Sequence, residues 1–300
     1  METGNLEVNW VWALMMAAPR WEVQLALVLL HALLHKAAQG IVAPAIGRYL
    51  DCKPWTQGII AREIARWEQL IGLTQTPQEA RDNYIWWVIV GLCHLVGGLL
   101  CVPAVAGVTG DVALPLVRHS ILVETGFELV DCLEKGYTRL FHPRGRDIVT
   151  NQLAFLVFAH HSTSAALGLP ANVYHSDSPL MHEMVLLLQG ASAFAILGTQ
   201  YAMTLNVARV SELRQMQLIA SLSCLVIVYT RFVRCLTLSY ELLLFFLQKE
   251  DTYFVSVGST CFLLMFVFSA VVLQDTLKRA YKFGTMSAAE AKRRYGAHEK

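Results

Sequence analysis

The sequence predicts an all-α polytopic membrane protein with about seven transmembrane helices, and three observations lead to this prediction. Hydrophobic residues make up 55% of the 300 positions and charged residues only 16%, whereas about a quarter of an average soluble domain is charged. Apolar runs of roughly 20 residues, the length that a helix needs to cross the hydrocarbon core, recur along the chain. Basic residues also alternate between the loops that join these runs.

The apolar runs divide the chain into predicted spans. The fourth and the last are the clearest, and the third is the weakest because of its carboxylates. A short run around Trp10 to Ala18 is too short to span and is predicted to lie at the membrane interface, where Trp is enriched. In chain order, the predicted spans are 22–46, 84–106, 113–135, 150–170, 182–205, 216–246 and 253–275.

The charges of the loops predict an orientation. Cytosolic loops of membrane proteins carry an excess of Lys and Arg. The loops at 107–112 and 171–181 contain neither residue, and the loop at 247–252 contains only Lys249. This pattern predicts an N-terminus on the lumenal or outer side and a cytosolic C-terminus. Eighteen of the 24 basic residues lie on the predicted cytosolic side, in 47–83, in 135–150, in 206–215 and after 276.

The same pattern predicts three regions. Residues 1–80 comprise the interfacial segment, the first transmembrane helix and an amphipathic cytosolic loop. Residues 81–280 form a six-helix membrane domain, and residues 281–300 form a basic cytosolic tail.

Within the first region, residues 56–72 have the spacing of an amphipathic helix. The apolar positions either lie on the cytosolic membrane surface or pack on the helical bundle as part of an ordinary loop helix. The pattern leaves both alternatives open. The apolar positions are Ile60, Ile64, Trp67 and Ile71.

Ionisable residues lie inside several predicted spans. Counted from the start of each span at about 1.5 Å per residue, Glu124, His160 and Arg231 fall near the membrane midplane. Glu124, Glu128 and Asp131 are spaced i, i+4, i+7 and therefore share one helical face. Such a face must look into the bundle or at a water-filled cavity, because the bilayer core disfavours ionisable groups.

Two interpretations of these residues remain open. In the first, the carboxylates, Arg231 and the pair His160–His161 line a polar cavity. There a histidine exchanges a proton, a carboxylate orients it, and the arginine holds an anionic group. In the second, the charges neutralise one another and only hold the helices in register. His31 and His35 share a face of the first predicted span, but two histidines are too few ligands for a metal site, and neither a metal nor a cofactor is expected. The sequence has no motif for phosphate binding or for nucleic-acid binding.

Three stretches between residues 84 and 276 resemble the TLC-domain family, named for translocation-associated membrane proteins, Lag-type ceramide synthase subunits and a lipofuscinosis protein. Gly126–Asp131 is similar to the Gly-Tyr-x-x-x-Asp of an early span, and Ala159–Thr163 is similar to a His-His-x-x-Thr pattern. Gly190–Phe194, followed by the apolar run Leu222–Val233 with Arg231 or Arg234, resembles the two late spans.

The resemblance implies a TLC-like helical bundle in the endoplasmic reticulum or another endomembrane. In ceramide synthases the histidine pair is followed by a His-Asp-x-x-Asp segment. That segment falls on Gln189–Ala193, where both acidic positions are absent. The resemblance therefore favours a protein of lipid metabolism that binds a lipid or acyl chain in an intramembrane cavity and regulates membrane lipid composition.

Two alternatives stay open. One is a ceramide-synthase-like N-acyltransferase that uses acyl-CoA and a sphingoid base, and the other is a structural subunit of a membrane complex. The expected partner in the first two cases is a membrane lipid or fatty acyl chain. The resemblance and the depth of the charges together give His160, His161 and Asp131 as catalytic candidates, and Glu124, Glu128, Gln189 and Arg231 as lipid-binding candidates.

Overall fold

A computed structural model of the chain describes residues 10–53, 55–108 and 112–295. This part of the chain is almost entirely helical and contains no strand, so the prediction of an all-α protein is confirmed. The extreme N-terminus, whose side of the membrane was predicted, and the end of the basic tail lie outside the described residues. The elements are α1 (Trp10–Met15), α2 (Trp21–Asp51), α3 (Thr56–Ile71), α4 (Pro77–Val105), α5 (Ala113–Phe141), α6 (Gly145–Ile148), α7 (Asn151–Tyr174), α8 (Pro179–Ala202), α9 (Val210–Ile227), a π-helical segment (Val228–Arg234), α10 (Cys235–Gln248), α11 (Thr252–Gly284) and α12 (Ala288–Tyr295).

Five helices in the described part of the chain are long and apolar enough to cross a membrane: α2, α4, α8, the continuous helix from α9 to α10, and α11. This is the composition of a helical integral membrane protein. Helices also cover the third and fourth predicted spans, as α5 and α7. Neither is among the five, although the fourth span was predicted to be one of the two clearest, because α5 contains carboxylates and α7 contains two histidines and several hydroxyl and amide side chains.

The helices extend beyond the predicted spans, and α4 illustrates the reason. It begins at Pro77 rather than at residue 84, because Thr76 and Glu79 form a capping box. The Thr76 hydroxyl accepts a hydrogen bond from the Glu79 backbone N–H at 3.2 Å, and the Glu79 carboxylate accepts one from the Thr76 N–H at 2.6 Å. Hydropathy marks the apolar part of a helix, whereas its ends are determined by capping groups that form hydrogen bonds with the terminal backbone N–H and C=O groups.

The segment predicted to be interfacial packs on the bundle. Ala13 and Ala17 are buried against Val23 and Leu27 of α2 and Leu122 of α5. The segment that contains α1 therefore belongs to the helical core, and its position at the membrane interface stays a prediction.

Helix α2 crosses α5 in direct backbone contact at Gly126. A Cβ atom at Gly126 would come within 2.8 Å of the Ala32 nitrogen and of the His31 Cβ. Residues two apart on a helix point about 200° apart. Glu124 and Glu128 therefore point away from α2, toward the interior that α5 shares with α4 and α7.

Helix α3 packs on α4, as in the second of the two alternatives for residues 56–72. Ile60 and Trp67 of the predicted apolar face are buried, and Ile64 is half-buried. The side chain of Ile71 lies outside the described residues. Ile59 joins the buried face as well.

The buried face of α3 also contains a carboxylate. Glu63 is fully buried and accepts hydrogen bonds from Trp67 Nε1 at 2.5 Å and from Asn83 Nδ2 at 2.6 Å. Burial raises the pKa of Glu63, although Arg66 and these two hydrogen bonds act in the opposite direction. Glu63 thus connects α3 to the start of α4.

The basic tail begins as a helix that packs on the bundle. Ala291 of α12 is buried with Val207, Leu213 and Met286. The predicted tail is therefore partly structured, because one small residue lets α12 approach α9 closely.

Candidate functional site

A cavity of about 300 Å³ lies among α4, α5, α7, α8, the π-helical segment and α11, with Trp67 of α3 at one end. The structure brings every sequence-predicted site residue to the wall of this cavity. The predicted residues on its wall are Glu124, Glu128, Asp131, His160, His161, Gln189 and Arg231.

The cavity is long, and its walls are apolar on both sides of the polar group. On α5 its lining extends from Ile121 to Lys135, which is about 21 Å at the rise of an α-helix. Leu156 and Leu167 line it on either side of the histidine pair on α7. The cavity is therefore longer than one leaflet of the hydrocarbon core, which is about 15 Å thick.

His161 is held on both edges of its ring by carboxylates of α5. Its Nε2 lies 3.0 Å from Asp131 Oδ2, and its Nδ1 lies 3.4 Å from Glu128 Oε1. All three side chains are buried. Because Asp131 and Glu128 are three residues apart, one turn of α5 presents both carboxylates to a single imidazole.

His160 has a different environment. Its ring stacks on Phe268 of α11, with centroids 4.9 Å apart and an interplanar angle of 18°. Among the residues that the structure describes, neither ring nitrogen of His160 has a hydrogen-bond partner, and the side chain is half-buried. Both ring nitrogens of His160 are therefore available to a ligand, whereas on His161 only Nδ1, 3.4 Å from Glu128 Oε1, has no hydrogen-bond partner in the described part of the chain.

Glu124 lies beside a histidine that the sequence comparison with the family did not single out. His94 Nδ1 of α4 is 2.9 Å from Glu124 Oε2, although the two atoms are not aligned as a hydrogen bond. His94 also lines the cavity. Its depth, ten residues into the second predicted span, is the sequence signal that places it level with Glu124.

Arg231 projects from the π-helical segment. Its Nη2 donates to the Leu188 carbonyl at 3.0 Å and to Ser192 Oγ at 2.7 Å. Its buried Nη1 has no hydrogen-bond partner in the described part of the chain. π-helical turns are frequent at functional sites because they redirect side chains relative to an α-helix.

The second arginine of this helix does not line the cavity. Arg234 forms a bidentate ion pair with Glu183, at 2.5 and 2.6 Å, and lies 3.6 Å from Glu241. Of the two arginines that the sequence left open, Arg231 therefore faces the cavity, and Arg234 connects helices elsewhere.

Gln189, which stands at the start of the segment where ceramide synthases carry acidic residues, is buried on the cavity wall. Its Nε2 donates to the Ser120 carbonyl at 3.2 Å, and its Oε1 is unpartnered among the described residues. That oxygen packs against Gly97 of α4, so Gln189 joins α8 to both α4 and α5.

Aromatic residues at the predicted cytosolic end of the cavity were missed by the sequence analysis. Trp67 and Trp87 stack with centroids 5.9 Å apart, and Lys135 Nζ lies 4.7 Å from the centroid of the Trp86 ring. The adjacent pair Trp86–Trp87 was the available signal, but its contact with α3 depends on the tertiary fold.

Both interpretations of the buried charges are thus partly realised. The groups share one cavity, and several of them also pair across helices, as His161 does with Asp131.

Comparisons with protein-family models, with curated proteins and with solved structures gave no match. The chemistry of the site therefore has to be inferred from its residues.

Proposed function

We propose that this chain is a TLC-like membrane protein that binds a single-chain lipid or an acyl chain in the cavity and thereby regulates membrane lipid composition. The observation that carries the proposal is a long cavity with apolar walls on both sides of a buried polar cluster. Its volume, about 300 Å³, is at the lower end of the range for small-molecule pockets. This size favours one chain over a two-chain phospholipid.

The cluster supplies both kinds of partner for a head group. Arg231 Nη1 offers a free donor, while the Glu128 oxygens offer buried acceptors that have no hydrogen-bond partner among the described residues. Buried polar groups without partners are costly, so a ligand that satisfies them binds favourably. The complementary ligand is an amphiphile whose head both donates and accepts hydrogen bonds, such as an amino alcohol, an amide or a protonated carboxylic acid.

The proposal includes seven spans, a lumenal N-terminus, a cytosolic C-terminus and a location in the endoplasmic reticulum or another endomembrane. The alternation of loop charges supports this topology. Helices over all seven predicted spans are consistent with it. The organelle is suggested only by the resemblance to the TLC-domain family.

Lipid extraction tests the binding proposal directly. The full-length protein is purified in detergent, and its organic extract is analysed by mass spectrometry beside an extract of an unrelated membrane protein prepared in the same way. The proposal predicts a single-chain lipid enriched in stoichiometric amount. An extract that matches the control would contradict it and would favour the structural-subunit alternative.

An N-acyltransferase is the second candidate, and the free ring nitrogens of His160 favour it. In this case His160 accepts a proton from the amine of a sphingoid base as the amine attacks the thioester carbonyl of acyl-CoA. The C–N bond of the amide forms, the C–S bond breaks, and CoA leaves as the thiol with that proton. The absence of both acidic residues from Gln189–Ala193 disfavours it.

Incubation of the purified protein with acyl-CoA and a long-chain base separates the two candidates. Turnover that is lost in His160→Ala, but retained in a His142→Ala control at an exposed position, would establish the enzyme. Bound lipid without turnover would support the binding function.

A further inference from the structure

Three side chains at the centre of the cavity have the composition of a metal site. One possible ligand atom from each of Glu128, His160 and His161 lies within 4.8 Å of the other two. Glu128 is only 2% exposed, and neither of its oxygens has a hydrogen-bond partner in the described part of the chain. A buried carboxylate in this situation is stabilised by protonation or by a nearby positive charge, and a bound cation is one way to supply that charge.

The distance between the ligand atoms of His161 and Glu128 matches the distance between two ligands of one metal ion. His161 Nδ1 lies 3.4 Å from Glu128 Oε1. Two ligands of a tetrahedral zinc ion, each about 2.1 Å from the metal, are also about 3.4 Å apart. A ring nitrogen of His160 lies within 4.8 Å of the other two ligand atoms, and coordination of one ion by all three requires the His160 side chain to move closer.

Asp131 contacts His161 at the ring nitrogen that does not face Glu128. Its Oδ2 lies 3.0 Å from His161 Nε2, on the side of the ring away from Glu128. A proton on Nε2 that is donated to Asp131 leaves the lone pair of Nδ1 directed at Glu128. Carboxylates hold metal-binding histidines in the ligating tautomer in this way, so Asp131 is a positioning residue.

We propose that Glu128, His160 and His161 bind a divalent transition-metal ion of the zinc class. Two imidazoles and one carboxylate are ligands that zinc and ferrous iron both accept, with further positions left open. Because the three residues line the cavity, the open positions face the space assigned to the lipid head group. An oxygen of that head group is the expected additional ligand.

This site differs from the sequence-based expectation of no metal, and the reason is geometric. Adjacent histidines are not at a recognised metal-binding spacing, and the third ligand comes from another helix. Only the packing of α5 against α7 places Glu128 next to the pair.

Metal analysis of the full-length protein tests the inference. The protein is purified in detergent without chelator, and bound metal is measured by inductively coupled plasma mass spectrometry. After treatment with chelator, the protein is titrated with Co²⁺, whose visible absorption bands report its coordination. We expect about one ion per chain in the wild type, at least a tenfold weaker uptake of Co²⁺ in Glu128→Gln and His160→Ala, and unchanged uptake in Glu183→Gln.

The titration also distinguishes a specific site from an adventitious ion only. Equal metal content and equal Co²⁺ spectra in the wild type and Glu128→Gln would overturn the inference, as would the absence of both bound metal and Co²⁺ bands in the wild type. Circular dichroism of each variant establishes that lost uptake does not reflect unfolding. Lipid is measured in the same preparations before any chelator is added. Wild-type protein that is purified with lipid but binds no metal overturns only this inference. Wild-type protein that binds metal but contains no lipid overturns only the proposed function.

Discussion

Asp131 Oδ2 of α5 lies 3.0 Å from His161 Nε2 of α7, and this contact joins two helices at the wall of the cavity. Glu128 approaches the other side of the same ring. The imidazole therefore links helix packing to the polar cluster, and changes at Asp131 affect both.

Replacement of Asp131 by alanine should destabilise the protein strongly. Removing one partner of a buried pair typically costs about 3–5 kcal/mol, because the other polar group is left without compensation. Asp131→Asn should cost less, since the amide oxygen still accepts a hydrogen bond from Nε2. Denaturant unfolding in detergent measures the change in the free energy of unfolding, with Asp147→Ala at an exposed position as control. Equal effects of Asp131→Ala and Asp147→Ala would refute the structural role.

The two arginines of the helix from α9 to α10 should have separable effects. Arg231→Gln should reduce lipid affinity by roughly 10- to 100-fold, because a hydrogen bond from a charged group contributes about 1.5–3 kcal/mol. Arg234→Gln should leave lipid content unchanged while lowering thermal stability, since it breaks the pair with Glu183. Lipid quantification and thermal unfolding of the same samples check both outcomes. A greater loss of lipid in Arg234→Gln would reverse the assignment.

Gly126 should tolerate no large side chain. Gly126→Leu places atoms where α2 passes within 2.8 Å of the added Cβ, so the helices must separate. Overpacking of this kind costs about 1–3 kcal/mol and sometimes more. Gly40→Leu serves as control because a Cβ there meets no atom within 4 Å. Similar melting temperatures for the two variants would argue against the close α2–α5 crossing.

Glu63 should make stability depend on pH. Since burial raises the pKa of Glu63, the folded state holds the proton more tightly than the unfolded state. The associated stabilisation is fully present below the unfolded pKa of about 4.3 and is lost as pH rises through the folded pKa.

Glu63→Gln should remove this pH-dependent part of the free energy of unfolding, while the amide oxygen of the new Gln side chain still accepts the hydrogen bond from Trp67. The variant should therefore gain stability relative to the wild type as pH increases from about 4 upward. Thermal unfolding across this range measures the difference. A wild-type-minus-variant difference that does not change with pH would contradict the burial of an ionisable group at this position.

The fold could be predicted in outline because hydropathy and loop charge are local properties of the chain. They identified the segments that became α2, α4, α5, α7, α8, the helix from α9 to α10, and α11. They did not identify the π-helical segment, whose backbone pattern carries no composition signal, or the extension of α4 to its capping box.

For the candidate site, the sequence predicted the depth of its residues in the membrane and the helical face on which they lie. Glu124, His160 and Arg231 were expected in one membrane layer, with Glu128 on the same helical face as Glu124, and all four line one cavity. The partners of individual residues could not be predicted, because they depend on the rotation of one helix against another. His161 rather than His160 meets Asp131 for this reason, and Arg234 meets Glu183 outside the cavity.

Native mass spectrometry of a cavity-filling variant tests the central claim most directly. Ser164 lines the cavity without contributing a charge, so Ser164→Phe reduces its volume and keeps every charged side chain of the polar cluster, although it removes a hydroxyl beside Glu128. Ser259→Phe on the exposed face of α11 is the matched control. If the cavity holds a lipid chain, the wild type and Ser259→Phe carry the mass of one single-chain lipid, and Ser164→Phe does not. Bound lipid that persists equally in Ser164→Phe would contradict the account.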